Sequence, residues 1–220
     1  MSDQYALFGF PVQHSWSPFI HGMFARQTGQ DMVYRLHESP PARFRSDVLA
    51  FFSEGGRGIN VTLPHKRAAA DLVNELTPRA QQADAVNTVV RRDELLVGDN
   101  TDGAGLLADL TRNLGWRLAS PRILLLGAGG AARGALAPLL SLQPRLLVIA
   151  NRNVERAVEL AQEFAELGPI SGCEFTKLEH HRFDLIINAT SASLRGEVPL
   201  IPIDVVDSLT TCYDMAYGVG

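Results

Sequence analysis

The stretch Arg122-Ile123-Leu124-Leu125-Leu126-Gly127-Ala128-Gly129-Gly130-Ala131-Ala132-Arg133 decides the fold of this chain. A short apolar run gives way to glycines, and an Ala/Leu-rich segment follows, which predicts a strand, a tight turn and a helix. The first N–H groups of a helix have no partner within it and lie at the positive end of its dipole, so they can hold a pyrophosphate. We therefore predict a dinucleotide site rather than a plain turn. Its candidate residues are Gly127, Ala128, Gly129, Gly130 and Ala131, with Ala132 in place of a third glycine.

The strand that follows, residues 146–150, indicates which dinucleotide is bound. An acidic residue at its end would hold the ribose 2′-hydroxyl of NAD, whereas arginine suits the 2′-phosphate of NADP. This chain has no Asp or Glu at that strand end and offers Arg152 and Arg156 instead. A guanidinium group matches the geometry of phosphate with two parallel hydrogen bonds. We predict NADP as the cofactor; the alternative is that both arginines are solvated charges on a surface helix.

Composition fits a globular enzyme and excludes several other classes of protein. The 220 residues are 46% hydrophobic and 20% charged, with a formal net charge of −4, so there is no basic surface for nucleic acid. No apolar run approaches the length of a membrane span, and the N-terminus lacks a signal-peptide pattern. The six histidines show no metal-ligand spacing, and we expect no metal. Cys173 and Cys212 lie far apart, which favours free thiols in a reducing cytoplasm.

The pattern of apolar residues divides the chain into two α/β halves, residues 1–101 and 102–220. In the first half it predicts strands at 5–8, 32–36 and 58–61, helices at 18–27, 42–53 and 64–74, and a β-hairpin at 86–98. A helix at 102–114 then leads to the glycine-rich unit. Alternating strands and helices imply a parallel sheet in each half.

Polar residues follow the predicted strands of the first half in four groups. They are 14–18, 60–66, 85–88 and 99–103, rich in Ser, Thr, Asn, Lys and Asp. In open α/β sheets, ligands bind beyond the carboxyl ends of the strands, and hydroxyl and amide groups there suit a polyhydroxylated substrate. Each residue also has a local alternative. Ser17 and Asp102 could cap helices, and Asn60 and Asn87 could be turn residues.

Taken together, these motifs resemble the shikimate dehydrogenase family, which reduces 3-dehydroshikimate to shikimate with NADPH in aromatic amino-acid biosynthesis. The matching motifs occur in the family's order over almost the whole chain. They are His14-Ser15-x-Ser17-Pro18, Asn60-Val61-Thr62-x-Pro64-x-Lys66, Ala85-x-Asn87-Thr88, Asn100-Thr101-Asp102, the glycine-rich turn, Asn151-Arg152 with Arg156, Asn188-Ala189-Thr190-Ser191 and Asp214-Met215-x-Tyr217.

The resemblance implies an N-terminal substrate-binding and catalytic domain, residues 1–101, and a Rossmann-type NADP-binding domain, residues 102–220. It implies Lys66 and Asp102 as the catalytic pair and Ser15 and Ser17 as donors to the substrate carboxylate. The remaining substrate ligands that it implies are Asn60, Thr62, Asn87 and Tyr217. For the cofactor it adds Asn151, Arg152, Asn153, Arg156, Thr190, Ser191 and Met215 to the glycine-rich turn, although Thr190 and Ser191 also fit a simple strand-end turn.

Two features depart from the family pattern. Asn153 stands where the family has Thr or Ser, and its amide can still contact a 2′-phosphate. The family also continues beyond the position of Tyr217 with a helical segment that returns to the first domain, for which this sequence has no counterpart. We expect a small-molecule substrate, no nucleic-acid or membrane partner, and a monomer or homodimer. The alternatives are an NAD-preferring quinate/shikimate dehydrogenase and a non-catalytic NADP-binding regulatory module.

Overall fold

The computed structural model describes residues 2–116, 119–190, 192 and 196–216. By its internal contacts the chain splits into two compact units, Met1–Thr101 and Asp102–Gly220. The predicted site residues Ser191 and Tyr217 lie outside the described residues. Within the described part, none of the helices is both long and apolar enough to cross a bilayer.

The first unit is a six-stranded sheet with four helices. Its strands are β1 (Asp3–Gly9), β2 (Met32–Glu38), β3 (Gly56–Val61), β4 (Glu75–Leu76), β5 (Thr88–Arg92) and β6 (Leu95–Asp99). Its helices are α1 (Ser17–Thr28), α2 (Phe44–Ser53), α3 (Lys66–Ala70) and α4 (Pro78–Ala83). The strands are ordered β2-β1-β3-β5-β6-β4. Buried side chains such as Phe8, Phe44 and Val48 form its core.

Strand directions bring four loops of this unit to one edge of the sheet. β1 runs parallel to β2 and β3, whereas β5 is antiparallel to both β3 and β6. The carboxyl ends of β1, β3 and β6 therefore lie at the same edge as the amino end of β5. All four predicted polar groups adjoin these ends.

The second unit is a five-stranded, fully parallel sheet ordered β11-β10-β7-β8-β9. Its strands are β7 (Arg122–Leu126), β8 (Leu146–Ala150), β9 (Ile170–Cys173), β10 (Leu185–Asn188) and β11 (Thr211–Asp214). Its α-helices are α5 (Asp102–Ala108), α6 (Gly130–Ser141) and α7 (Val154–Glu163). Fully buried Ile123, Leu125, Leu147 and Ile149 pack against these helices. The α/β fold class is as predicted.

Three local predictions are wrong. The first sheet is mixed rather than parallel, because the short β5–β6 connection forces antiparallel neighbours. The helix expected to reach residue 74 ends at Ala70, because Asn74 pairs with Leu96 through its backbone N–H and its side-chain oxygen and draws the chain towards the sheet. The helix expected over 102–114 changes after Ala108 into a π-helical turn, Asp109–Asn113, where the Leu114 N–H bonds to the Asp109 carbonyl.

Candidate active site

The loop after β1 carries the two serines predicted to meet a carboxylate. The Ser15 hydroxyl lies 3.0 Å from the Ser17 hydroxyl, and its oxygen accepts the Ser17 backbone N–H at 3.2 Å. Helix α1 begins at Ser17 itself, and no side chain caps it. The alternative role of Ser17 as a helix cap is therefore wrong. The two hydroxyls form one half-buried pair of hydrogen-bonding groups.

The segment from β3 to α3 presents Asn60, Thr62 and Lys66. Asn60 lies within β3, so it is not a turn residue, and its amide bonds to three neighbours. Its Oδ1 accepts the Tyr34 hydroxyl at 2.7 Å, and its Nδ2 donates to the Thr88 hydroxyl oxygen at 3.2 Å and to the Asn87 carbonyl at 3.4 Å. Thr62 and Lys66 are half-buried, and Lys66 is the first residue of α3.

Asn87 joins the start of β5 to the segment after β6. Its side chain is buried, with Nδ2 donating to the Thr101 hydroxyl oxygen at 2.9 Å. Its Oδ1 accepts the Thr101 backbone N–H at 3.0 Å and the Thr88 hydroxyl at 2.9 Å. Asn87 lies in a bend just before β5, and its side chain also serves this network. The network fixes Thr101, whose chain neighbour is the predicted catalytic Asp102.

An ion pair between Arg79 and Asp99 supports the segment after β6 that leads to Asp102. The Asp99 carboxylate binds the Arg79 guanidinium with two hydrogen bonds and accepts the Thr77 hydroxyl at 2.6 Å. It also accepts the Asn100 backbone N–H at 2.8 Å. These contacts, Arg79 foremost, lower the pKa of Asp99 to about 2 despite its partial burial. Composition and spacing gave no sign of this pairing, because Arg79 and Asp99 stand in different elements.

In the second unit, the glycine-rich turn has the form that a pyrophosphate needs. Gly127 has φ of +106°, and a Cβ there would lie 3.1 Å from the Ala189 carbonyl oxygen, so only glycine fits without strain. Gly129 and Gly130 face open space, since a Cβ on either would meet no atom within 4 Å. Helix α6 begins at Gly130, with Gly129 before it. Ala128 and Ala131 are half-buried beside this opening, and the first N–H groups of α6 suit a dinucleotide phosphate.

The residues after β8 lie at the same sheet edge as this turn. The Asn151 amide donates to the Asn153 carbonyl at 2.9 Å, and the Asn153 Oδ1 caps α7 by accepting the Arg156 backbone N–H at 3.0 Å. Arg152 and Arg156 are exposed. The side-chain oxygen of Asn153 thus has a helix-capping role that the sequence analysis did not foresee.

The loops after β10 and β11 complete this edge. Asn188, the last residue of β10, accepts the backbone N–H and the hydroxyl of Thr190 and donates to Asp214 at 3.0 Å. The Met215 N–H bonds to the Asn188 carbonyl, and its half-buried side chain packs against the core. Thr190 therefore forms the strand-end turn that was one of its two predicted roles.

Comparison with known proteins identifies the family. Residues 7–89 match the model of the shikimate dehydrogenase substrate-binding domain, and residues 109–196 match that of shikimate/quinate 5-dehydrogenase. The shikimate dehydrogenase (NADP(+)) of Methylococcus capsulatus is 56% identical over 98% of this chain and 78% of its own length. The chain belongs to the shikimate dehydrogenase family.

Solved structures agree with this assignment. An Ael1 enzyme from Pseudomonas putida is 44% identical, with a TM-score of 0.89 over 99% of this chain and 80% of that one. The shikimate 5-dehydrogenase of Thermus thermophilus, solved with NADP(H) and shikimate, is 30% identical, with a TM-score of 0.82 over 96% of this chain and 78% of its own. The family resemblance and the two kinds of domain expected from the sequence are confirmed.

Proposed function

We propose that this protein catalyses the reversible, NADP-dependent reduction of 3-dehydroshikimate to shikimate in aromatic amino-acid biosynthesis. The observation that carries the proposal is the convergence of the family's polar motifs on one edge of the first sheet, in a chain whose second unit has an open glycine-rich helix start. We assign residues 1–101 to substrate binding and catalysis and residues 102–220 to NADP binding.

The first sheet edge suits a hydroxylated ring acid. The paired hydroxyls of Ser15 and Ser17 offer neutral donors to a carboxylate, and the amides of Asn60 and Asn87 offer hydrogen bonds to ring oxygens. Thr62, which begins the loop to α3, and Tyr217 serve the same substrate. Several side chains each contacting one oxygen give selectivity by direction, because a substrate lacking an oxygen leaves a polar group unpaired.

Lys66 and Asp102 are the proposed catalytic pair. Reduction of a ketone requires a proton at the oxygen on which negative charge develops. The ammonium group of Lys66 can stabilise that charge and donate the proton. Asp102 orients the ammonium and accepts a substrate hydroxyl. A binding module would need no proton donor, which argues against a purely regulatory protein.

NADP is held by the second unit. When bound, its nicotinamide supplies or accepts the hydride. The backbone N–H groups at Gly129–Ala131 hold the pyrophosphate, with Gly127 and Ala128 forming the turn. We assign Arg152 and Arg156 to the 2′-phosphate, with Asn151 and Asn153 beside them, and we assign further cofactor contacts to Thr190, Ser191 and Met215. The two exposed arginines and the absence of an acidic residue at the very end of β8, residues 151–153, favour NADP over NAD.

A turnover assay tests the proposal directly. With shikimate and NADP at alkaline pH, the protein should produce NADPH, and NAD should serve much less well. Preferential use of NAD, or of quinate over shikimate, would instead favour the quinate/shikimate alternative. Tight NADP binding without any turnover would favour the regulatory one. We place the enzyme in the cytoplasm because its two cysteines are free thiols, and we expect a monomer or homodimer.

A further inference from the structure

A chain of hydrogen bonds joins the side-chain amides of Asn87 and Asn60, the two proposed substrate ligands. Which group donates in each bond follows from the contact at the Asn87 end. The backbone N–H of Thr101 can only donate, and it bonds to Oδ1 of Asn87. This contact settles the orientation of the Asn87 amide, because an amide nitrogen could not accept it. The carbonyl end of Asn87 therefore faces Thr101 and Thr88.

The same reasoning gives the direction of the next hydrogen bonds, from Thr88 through Asn60 to Tyr34. The Thr88 hydroxyl donates its one hydrogen to Asn87 Oδ1 at 2.9 Å, so towards Asn60 it can act only as an acceptor. Asn60 must then turn its nitrogen towards Thr88 and its oxygen towards Tyr34. The Tyr34 hydroxyl donates to that oxygen at 2.7 Å.

The ring of Tyr34 is itself held in place. The His21 imidazole from α1 stacks on it, with ring centroids 4.1 Å apart and planes 7° from parallel. Burial of His21 lowers its pKa, which favours the neutral ring at neutral pH. The donor at this end of the chain thus comes from a ring whose position is fixed by packing.

We propose that Tyr34 and Thr88 are positioning residues that fix the orientation of the Asn60 amide, and with it the group that meets the substrate. The Asn60 nitrogen donates its two hydrogens to the Thr88 hydroxyl and the Asn87 carbonyl, and the Tyr34 hydroxyl occupies one lone pair of the Asn60 oxygen. Asn60 therefore offers the second lone pair of its oxygen as an acceptor, which favours a ligand with a hydroxyl group at this position. This inference rests on the proposed function, since it acts through the proposed substrate ligand Asn60.

Thr88→Val tests the chain at its middle, because valine keeps the shape and removes the hydroxyl. We expect KM for shikimate to rise about tenfold, with kcat changed less than about threefold and KM for NADP unchanged, since the Asn60 nitrogen loses the Thr88 hydroxyl that holds it. Thr88→Ser restores the hydroxyl and should restore KM. Thr28→Val, an exposed threonine on α1, is the matched control and should leave shikimate kinetics unchanged.

Tyr34→Phe removes the terminal donor and keeps the ring stacked on His21. It should raise KM for shikimate about threefold, and this effect should disappear in an Asn60→Ala background, where there is no amide to orient. Equal effects of Tyr34→Phe in both backgrounds would overturn the proposal. So would a Thr88→Val protein with a lower melting temperature and normal KM, because the hydroxyl would then only hold β5 on β3.

The proposed function can fail separately. A wild-type protein without shikimate turnover refutes that function. If wild type is active but Asn60→Ala and Asn87→Ala leave KM for shikimate unchanged, the amides are not substrate ligands and the positioning chain is refuted with them. If Thr88→Val does not fold, the Tyr34→Phe cycle and Thr88→Ser still decide the question.

Discussion

The candidate ligand-binding edges of the two units present different kinds of chemical group. At the edge of the first sheet, the candidate groups are side chains held by other side chains, as in the contacts among Asn60, Thr88 and Asn87. At the edge of the second, they are mainly backbone N–H groups at Gly129–Ala131, with exposed arginines beside them. The first edge should therefore be sensitive to single substitutions in and behind the site. The second should tolerate most side-chain changes outside its glycines and arginines.

The largest expected effect is that of Lys66→Ala, which tests whether chemistry belongs to the first edge. It should lower kcat by about a hundredfold or more, the scale for losing a positioned acid, with a much smaller change in KM. Steady-state kinetics with shikimate and NADP measure both constants. Arg67→Ala is the matched control, since this neighbouring cation pairs with Asp71 and Asp84 on the surface. Near-normal kcat with a greatly raised KM would make Lys66 a binding residue only.

The serine pair tests recognition at the same edge. The double variant Ser15→Ala, Ser17→Ala should lose about ten- to several-hundredfold in kcat/KM for shikimate, as expected for two hydrogen bonds to a carboxylate. KM for NADP should not change. The contact of the Ser15 oxygen with the Ser17 N–H adds a cost in stability, which the melting temperature reports. Ser53→Ala, an exposed serine on α2, is the control. Unchanged kcat/KM with a lower melting temperature would leave the pair a structural role alone.

The arginines test whether side chains matter at the second edge. Arg152→Gln, Arg156→Gln should raise KM for NADP about ten- to a hundredfold and leave KM for NAD nearly unchanged, because only NADP carries the 2′-phosphate. The effect should shrink at high salt, since both arginines are exposed. Arg145→Gln removes a charge just before β8, at the opposite end of the same strand, and should affect neither cofactor. Equal losses for NADP and NAD would indicate general attraction instead.

The two edges also differ in how far the sequence revealed them. At the second edge, the strand, turn and helix within residues 122–142 could be predicted, because they follow one another in the chain and the role of each glycine depends on its neighbours. The family motifs identified the residues of the first edge but not their contacts. Tyr34 meets Asn60 across 26 positions of sequence, and that contact depends on strand order and register. The β-hairpin that places Asn87 at this edge was predicted. That this hairpin makes the first sheet mixed rather than parallel was not.

The smallest expected effect concerns the Arg79–Asp99 ion pair, next to the first edge. The pKa of Asp99 is about 2 in the folded protein against an ordinary value of 3.8, so its charge stabilises the fold. A lowered pKa contributes stability that is fully present above about pH 4 and is lost as pH falls towards 2. Asp99→Asn should therefore reduce the free energy of unfolding at pH 7 by about 1–2 kcal/mol, less than the full pKa difference because Arg79 is half exposed.

Chemical unfolding of Asp99→Asn and wild type between pH 7 and pH 3 measures this contribution. The difference between the two proteins should be constant from pH 7 to about pH 5 and should narrow below pH 4, as protonation removes the charge from the wild-type carboxyl. Arg79→Gln breaks the same pair from the other side and should show the same narrowing, which separates the ion pair from the hydrogen bonds to Thr77 and Asn100. A difference that persists unchanged to pH 3 would assign the loss to those hydrogen bonds. Because Asp99 adjoins the segment leading to Asp102, either variant should also lower kcat/KM for shikimate while leaving KM for NADP unchanged, as expected if the first edge depends on its supporting side chains.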